Sequence, residues 1–191
     1  MHDLLRDCAG GLWLALGIFW LAGALTAKRS ARTQSPVSRL LQITPEVASF
    51  FLLFGRFRWP HWLRWRFTPE DSLAWASTGL ALTIAGIAFA VWARLWIGRN
   101  WSGRVTVKEG HELIQNGPYA MVRHPIYSGF LLAILGTAIV HGELRSLLAL
   151  PLAALGWTFK LRMEESFMTQ QFGSVYLDYK RRVKALVPFV V

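Results

Sequence analysis

The run Gly117-Pro118-Tyr119-Ala120-Met121-Val122-Arg123-His124-Pro125-Ile126-Tyr127-Ser128-Gly129 sets polar, proline-fixed backbone at the mouth of an apolar segment. Proline bars the residue before it from helical geometry and is welcome at the first helical position. The sequence therefore predicts His124 extended at a cap and Pro125 opening a helix. The N–H groups of Ile126, Tyr127 and Ser128 are then expected as unpaired donors at a positive helix end, suited to a carboxylate or phosphate. A second polar cluster, Lys160-Leu161-Arg162-Met163-Glu164-Glu165, follows a later apolar stretch. If that helix continues to Phe172, Arg162 and Glu165 share a face, Lys160 can pair with Glu164, and Gly173 supplies the stop. A third cluster holds Tyr176 and Tyr179, then Lys180, Arg181, Arg182 and Lys184, a basic amphipathic tail that alone would suit lipid phosphates. All three are expected on one side of a small bundle, where together they can roof a pocket.

Other chemistries find less support. The histidines His2, His61, His111, His124 and His141 show no metal-ligand spacing, so no metal site is expected. Cys8 is the only cysteine, which rules out an internal disulfide and a thiolate metal site. No glycine-rich dinucleotide or phosphate loop and no nucleophile elbow is found.

The elements that position these groups are membrane helices. At 191 residues with 53% hydrophobic content and ten tryptophans, the chain reads as one small integral membrane protein, a single domain over 1–191. The expected class is an all-α membrane bundle of about five transmembrane helices, its cytoplasmic pocket formed by the C-terminal half. The spans are Ala9 to Ala27, Ile43 to Phe54, Ser72 to Ala93, Pro125 to Gly142, and Ser146 to Phe159, the last interrupted by Pro151. Ile43 to Phe54 is the weakest, with Glu46 near one end and Arg56 near the other. Only His141 to Arg145 separates the last two spans, so they form a tight antiparallel hairpin. Gly10, Gly11, Gly17 and Gly23 permit close helix approach.

Basic clusters at Lys28 to Arg39, Arg94 to Arg123 and from Lys160 onward place the polar loop between Ile97 and His124 and the C-terminus inside, with the N-terminus outside. Arg56, Arg58, Arg64 and Arg66 interleave with Trp59, Trp62 and Trp65, the pattern of a segment resting on headgroups. The net charge of +10 is read as attraction to anionic membrane lipid rather than to nucleic acid, and no obligate protein partner is evident.

These residues resemble the isoprenylcysteine carboxyl methyltransferases and their bacterial relatives, which in turn look like the phospholipid methyltransferases. The resemblance rests on Gly98-Arg99-Asn100-Trp101-Ser102-Gly103, His111 through Gly129, Glu164-Glu165, Phe172-Gly173, Tyr176, Tyr179, Arg182-Val183 and Pro188-Phe189. It covers the C-terminal half, 98–191; the spans within 1–97 match only in character. It implies methyl transfer from S-adenosylmethionine, bound on the cytoplasmic side of a bacterial inner membrane, to a lipophilic substrate entering from the lipid. Carried onto this chain, it puts Leu113, Gly117, Pro118, Tyr119, Val122, His124, Pro125, Tyr127 and Tyr176 around the cofactor, with Glu165 holding its polar end. His124 and the donors after Pro125 fit the methionine carboxylate, and Tyr119 and Tyr127 offer aromatic faces near the sulfonium. Arg182, then Arg162, are the candidates to orient a substrate carboxylate; Glu164 matters more if the acceptor is a lipid amine that must lose a proton. Eukaryotic members carry Pro-Thr-Gly after the Arg-Val pair, where this chain reads Lys184-Ala185-Leu186. The alternatives are a lipid N-methyltransferase, a nicotinamide-dependent reductase resembling the membrane sterol reductases, and a membrane scaffold without catalysis.

Overall fold

The computed structural model describes residues 1–25, 36–70, 72–98, 101 and 113–188. Among them the chain forms α1 (His2–Leu25), α2 (Pro36–Phe54), a 3-10 turn (His61–Arg64), α3 (Leu73–Ile97), the single turn α4 (Pro118–Met121), α5 (Pro125–His141), α6 (Leu144–Phe172) and α7 (Ser174–Arg182). The all-α expectation holds: an isolated bridge between Arg66 and Glu143 is the one β-type pairing in the described residues. By length and hydropathy α1, α3 and α6 can cross a membrane, and α5 is a shorter apolar helix. The protein is an integral membrane protein. The weak segment at Ile43 to Phe54 is the second half of α2, which starts earlier, at Pro36, and runs through Pro45.

The centre of the bundle is the antiparallel pair α3 and α5, and glycine makes it. Gly79 and Gly86 on α3, and Gly129 and Gly136 on α5, are each spaced by one heptad. A β-carbon on Gly86 would stand 2.5 Å from the backbone of Ala133 and Gly129, and one on Gly136 would stand 2.5 Å from Gly79 O and Thr83 N. In lipid, helices gain little from hydrophobic exclusion, so backbone-to-backbone packing of this kind is what holds them together. Buried hydroxyls add to it: Thr83 and Thr137 donate to the Gly79 and Ala133 carbonyls at 2.9 and 2.8 Å. Trp13 Nε1 then donates to Thr137 Oγ1 at 2.9 Å, which fixes α1 on the pair. Of the α1 glycines that could admit close approach within the molecule or between copies, Gly23 meets the Arg94 guanidinium, 2.9 Å from where its β-carbon would stand, whereas β-carbons on Gly10, Gly11 and Gly17 would meet nothing within 4 Å among the described residues.

α6 passes through Pro151 without a break, and its 29 residues extend about 44 Å. That exceeds a hydrocarbon core of about 30 Å, so one end of the helix must project beyond the apolar layer. Ser49 Oγ on α2 donates to the Ala149 carbonyl at 2.8 Å and locks α2 against it. At the other end, Gly142 closes α5 in the left-handed region (φ 69°, ψ 11°), its N–H bonded to Ala138 O. Phe67 N–H to Gly142 O (3.0 Å) and Leu144 N–H to Trp65 O (2.9 Å) lay the Arg/Trp-rich segment along this hairpin.

Candidate functional site

The chain reaches the site through a turn that only glycine accommodates. Tyr119 N–H bonds Asn116 O at 3.2 Å, with Gly117 at φ 58° and ψ −134° in its first central position. A β-carbon on Gly117 would also lie 2.4 Å from the Trp96 ring, whose Nε1 donates to Asn116 Oδ1 at 3.0 Å. Pro118 opens α4, Val122 ends it in extended geometry and is almost fully buried, and His124 caps α5 with Pro125 at its first position, as the sequence predicts. The expected extended conformation is corrected, because the His124 ψ of 61° (φ −124°) falls short of the extended region, which Val122 occupies instead.

The non-helical backbone at Arg123 and His124 is then paired by the C-terminal tail. Arg123 N–H donates to Lys184 O at 2.8 Å, His124 N–H to Ala185 O at 3.0 Å, and Ser128 Oγ to Leu186 O at 2.5 Å. The tail therefore lies across the start of α5. One expectation is corrected: Ser128 N–H is not an open donor, because it bonds the His124 carbonyl at 3.1 Å. First-turn geometry leaves only the Ile126 and Tyr127 amides without an intrahelical acceptor.

Beneath the tail lies the Glu165 carboxylate, surrounded by cations. Its Oε1 accepts from Arg123 Nε at 2.8 Å and Nη2 at 2.7 Å and faces His124 Nε2 at 3.3 Å; its Oε2 is 2.7 Å from Lys180 Nζ. The Arg123 and Glu165 side chains are 9% and 10% exposed, so this is a desolvated pair. Arg123 Nη1 continues to the carbonyls of Lys180 and Val183, so one guanidinium joins α5, α6, α7 and the tail. Glu164 is differently placed. Its Oε1 accepts from the Tyr127 hydroxyl at 2.7 Å, its Oε2 lies 3.7 Å from His124 Nδ1, and its side chain is 22% exposed. The His124 imidazole thus bridges the two carboxylates, one at each nitrogen.

The Tyr127 ring lies parallel to those of His124 (5.6 Å, 17°) and Trp157 (6.0 Å, 12°), and the Lys160 ammonium is 5.5 Å from its centroid. In this structure the cation on the Tyr127 face is Lys160. Tyr176 and Tyr179 are buried with their rings edge to face at 6.0 Å. Burial pushes the Tyr179 phenol up to about 12 and the Tyr176 and Tyr119 phenols upward as well. Tyr179 thus keeps its proton and donates it to Tyr119 O at 2.6 Å. Tyr179→Phe leaves that buried carbonyl unpaired and is expected to cost about 1 kcal/mol. In a thermal melt this is a loss of about 2–4 °C for a chain of this size.

The predicted residues therefore divide. His124, Pro125, Tyr127, Glu164 and Glu165 converge with Tyr119, Val122 and Tyr176 around the α5 start. Leu113 is half-buried in irregular chain ahead of the turn. Arg182 is exposed and donates to Gln115 Oε1 at 2.9 Å. Arg162 is exposed whereas Glu165 is buried, so the two do not share an environment. Arg99, Asn100, Ser102, Gly103, His111 and Phe189 lie outside the described residues. Arg123 and Lys180 were missed as site residues. The signal for Lys180 was its spacing: with Tyr176 and Tyr179 it occupies i, i+3 and i+4, a single helix face.

The family model described as phospholipid methyltransferase matches residues 75–175, from the start of α3 into α7. This chain belongs to that family. The match contains the α3 and α5 glycines, the α4 turn and the Arg123–Glu165 pair; Lys180 and the tail lie beyond it. Among curated relatives, protein-S-isoprenylcysteine O-methyltransferase B of Arabidopsis thaliana is 34% identical over 122 residues, 61% of each chain. The cobalt-zinc-cadmium resistance protein CzcN of Cupriavidus metallidurans is 33% identical over 138 residues, 72% of this chain and 56% of that one. A solved structure of the eukaryotic intramembrane Ras methyltransferase, isoprenylcysteine carboxyl methyltransferase, is similar with a TM-score of 0.50 and 28% identity, over 84% of this chain and 55% of that one. The chain thus spans less than two thirds of the length of these relatives.

Proposed function

We propose that this protein transfers the methyl group of S-adenosylmethionine to the carboxylate of a lipophilic, isoprenylcysteine-like substrate. The reaction takes place at the cytoplasmic face of a bacterial inner membrane, with the N-terminus outside and residues 98–191 forming the cofactor-binding half. The observation that carries this reading is the His124 imidazole held between two glutamates at the mouth of α5, under a tail of the chain, in a member of a methyl-transferring family.

The residues fit a zwitterionic amino-acid end. Glu165 already balances Arg123 and Lys180 and faces the His124 imidazole. Glu164, more exposed and bonded only at its edge, is the carboxylate with lone pairs to spare for an ammonium. The Ile126 and Tyr127 amides, Lys180 and His124 suit the methionine carboxylate. Tyr119, Val122, Tyr176, Pro118 and the Gly117 turn supply the wall, with Leu113 beside it, and Arg182 at the rim orients the substrate carboxylate. Glu164→Gln is expected to weaken S-adenosylmethionine binding at least tenfold, about 1.4 kcal/mol, while leaving the fold intact; equilibrium binding on detergent-solubilised protein measures it.

S-adenosylmethionine supplies an electrophilic methyl group on a sulfonium. A carboxylic acid with a pKa near 3.5 is already ionised at neutral pH, so the acceptor requires no general base from this chain. Opposite charges cancel as the methyl moves, so a dry site disfavours the reactants more than the transition state. Burial under the tail and against lipid therefore assists the reaction. The test is transfer of a labelled methyl group to an isoprenylcysteine analogue. Base-labile label on that analogue is the expected result. Base-stable label on phosphatidylethanolamine would favour the second reading, lipid N-methylation, which the description of the matching family raises.

A further inference from the structure

We propose that the end of the bundle opposite the His124 site binds the phosphate of an anionic phospholipid between Arg6 and Arg66. α5 carries the chain about 25 Å from Pro125 to His141, so the His141–Gly142 hairpin lies at the other membrane face. Two arginines from distant parts of the sequence each reach that hairpin. Arg6 Nη2 donates to His141 O at 3.2 Å, and Arg66 Nη2 lies 2.9 Å from where a Gly142 β-carbon would stand. Arg6 Nε, Arg66 Nε and Arg66 Nη2 are buried without a hydrogen-bond partner among the described residues.

Buried guanidinium donors left unpaired are costly, because water has been removed and nothing replaces it. The nearby carboxylates do not meet the need. Asp3 is 3.6 Å from Arg6 Nη1 with a side chain 93% exposed, and Glu143 is taken by Arg145 at 2.5 Å. Arg145 itself is spent on Glu143 and the Leu52 and Leu53 carbonyls. What the cluster lacks is an anion with several acceptor oxygens, and a phosphate matches the guanidinium fork. Its source is set by depth. Trp62, Trp65 and Phe57 stand exposed on the adjoining segment, and tryptophan in such positions settles at headgroup level. Excess positive charge favours an anionic lipid over one carrying its own ammonium.

The experiment uses full-length protein stripped of lipid in neutral detergent, titrated with phosphatidylglycerol, phosphatidylcholine and inorganic phosphate. Melting temperature and lipid retention in native mass spectrometry are the readouts. Wild-type protein is expected to retain one phosphatidylglycerol at least tenfold more tightly than phosphatidylcholine, with a melting temperature raised by several degrees. Arg6→Gln/Arg66→Gln should lose that preference, and Arg58→Gln, an exposed control, should keep it. Equal retention of both lipids by wild type overturns the proposal whether or not the double variant folds. An equal shift with inorganic phosphate overturns the lipid assignment. Neither result bears on methyl transfer, because the site at the other end of the bundle is untouched.

Discussion

Arg123→Met is expected to destabilise the protein by about 3–5 kcal/mol and to abolish cofactor binding. The Glu165 carboxylate is one-tenth exposed, and Arg123 gives it its two shortest guanidinium contacts while its third nitrogen holds the tail at Lys180 and Val183. Removing Arg123 leaves the buried carboxylate with Lys180 on one oxygen and no cation on the other side, and strips the Lys180 and Val183 carbonyls of their donor, which is the expensive way to break a buried pair. Arg123→Lys restores charge but not the fork, so partial recovery is expected. Because the two residues act as a unit, adding Glu165→Gln to Arg123→Met should cost much less than the sum of the single changes. Melting and denaturant unfolding of detergent-solubilised variants check all three. Additive costs would show that the pair is not coupled.

Gly86→Val should prevent stable assembly, with a loss of about 3 kcal/mol or more. The new side chain meets backbone atoms of Gly129 and Ala133 at 2.5 Å, and backbone cannot rotate away as a flexible side chain can. The only relief is to spread α3 from α5, which surrenders the close packing on which helix association in lipid depends. Gly17→Val is the matched comparison, since nothing among the described residues lies within 4 Å of where its β-carbon would stand. Yield of monodisperse protein and melting temperature should fall sharply for the first variant and little for the second.

The site was legible where the constraint is local. His124-Pro125 sets a non-helical residue before a helix start, and Gly117 and Gly173 mark backbone at positive φ. Each acts first through its own steric properties, although Pro45 and Pro151, which lie inside α2 and α6, show that packing can override the signal a proline gives. Arg123 was illegible as the keystone because its partners lie 42 and 60 residues away and meet it only once the tail folds back. Arg162 shows the limit of helical spacing: three residues bring side chains near one another, yet the boundary between buried and exposed faces falls between Arg162 and Glu165. The glycines make the same point. Small residues permit close approach on α1 as on α3, but the choice of neighbour is made by the whole bundle.

The central claim is that the His124–Glu164–Glu165 centre holds a sulfonium methyl donor, and one ligand comparison tests it most directly. Purified protein is melted with S-adenosylmethionine, S-adenosylhomocysteine or NADPH, since a ligand bound only by the folded form raises the transition, by more the tighter it binds. Stabilisation by both adenosyl compounds, lost in Glu164→Gln and in His124→Ala, is the predicted result. Stabilisation by NADPH alone would contradict the account and make the protein a reductase.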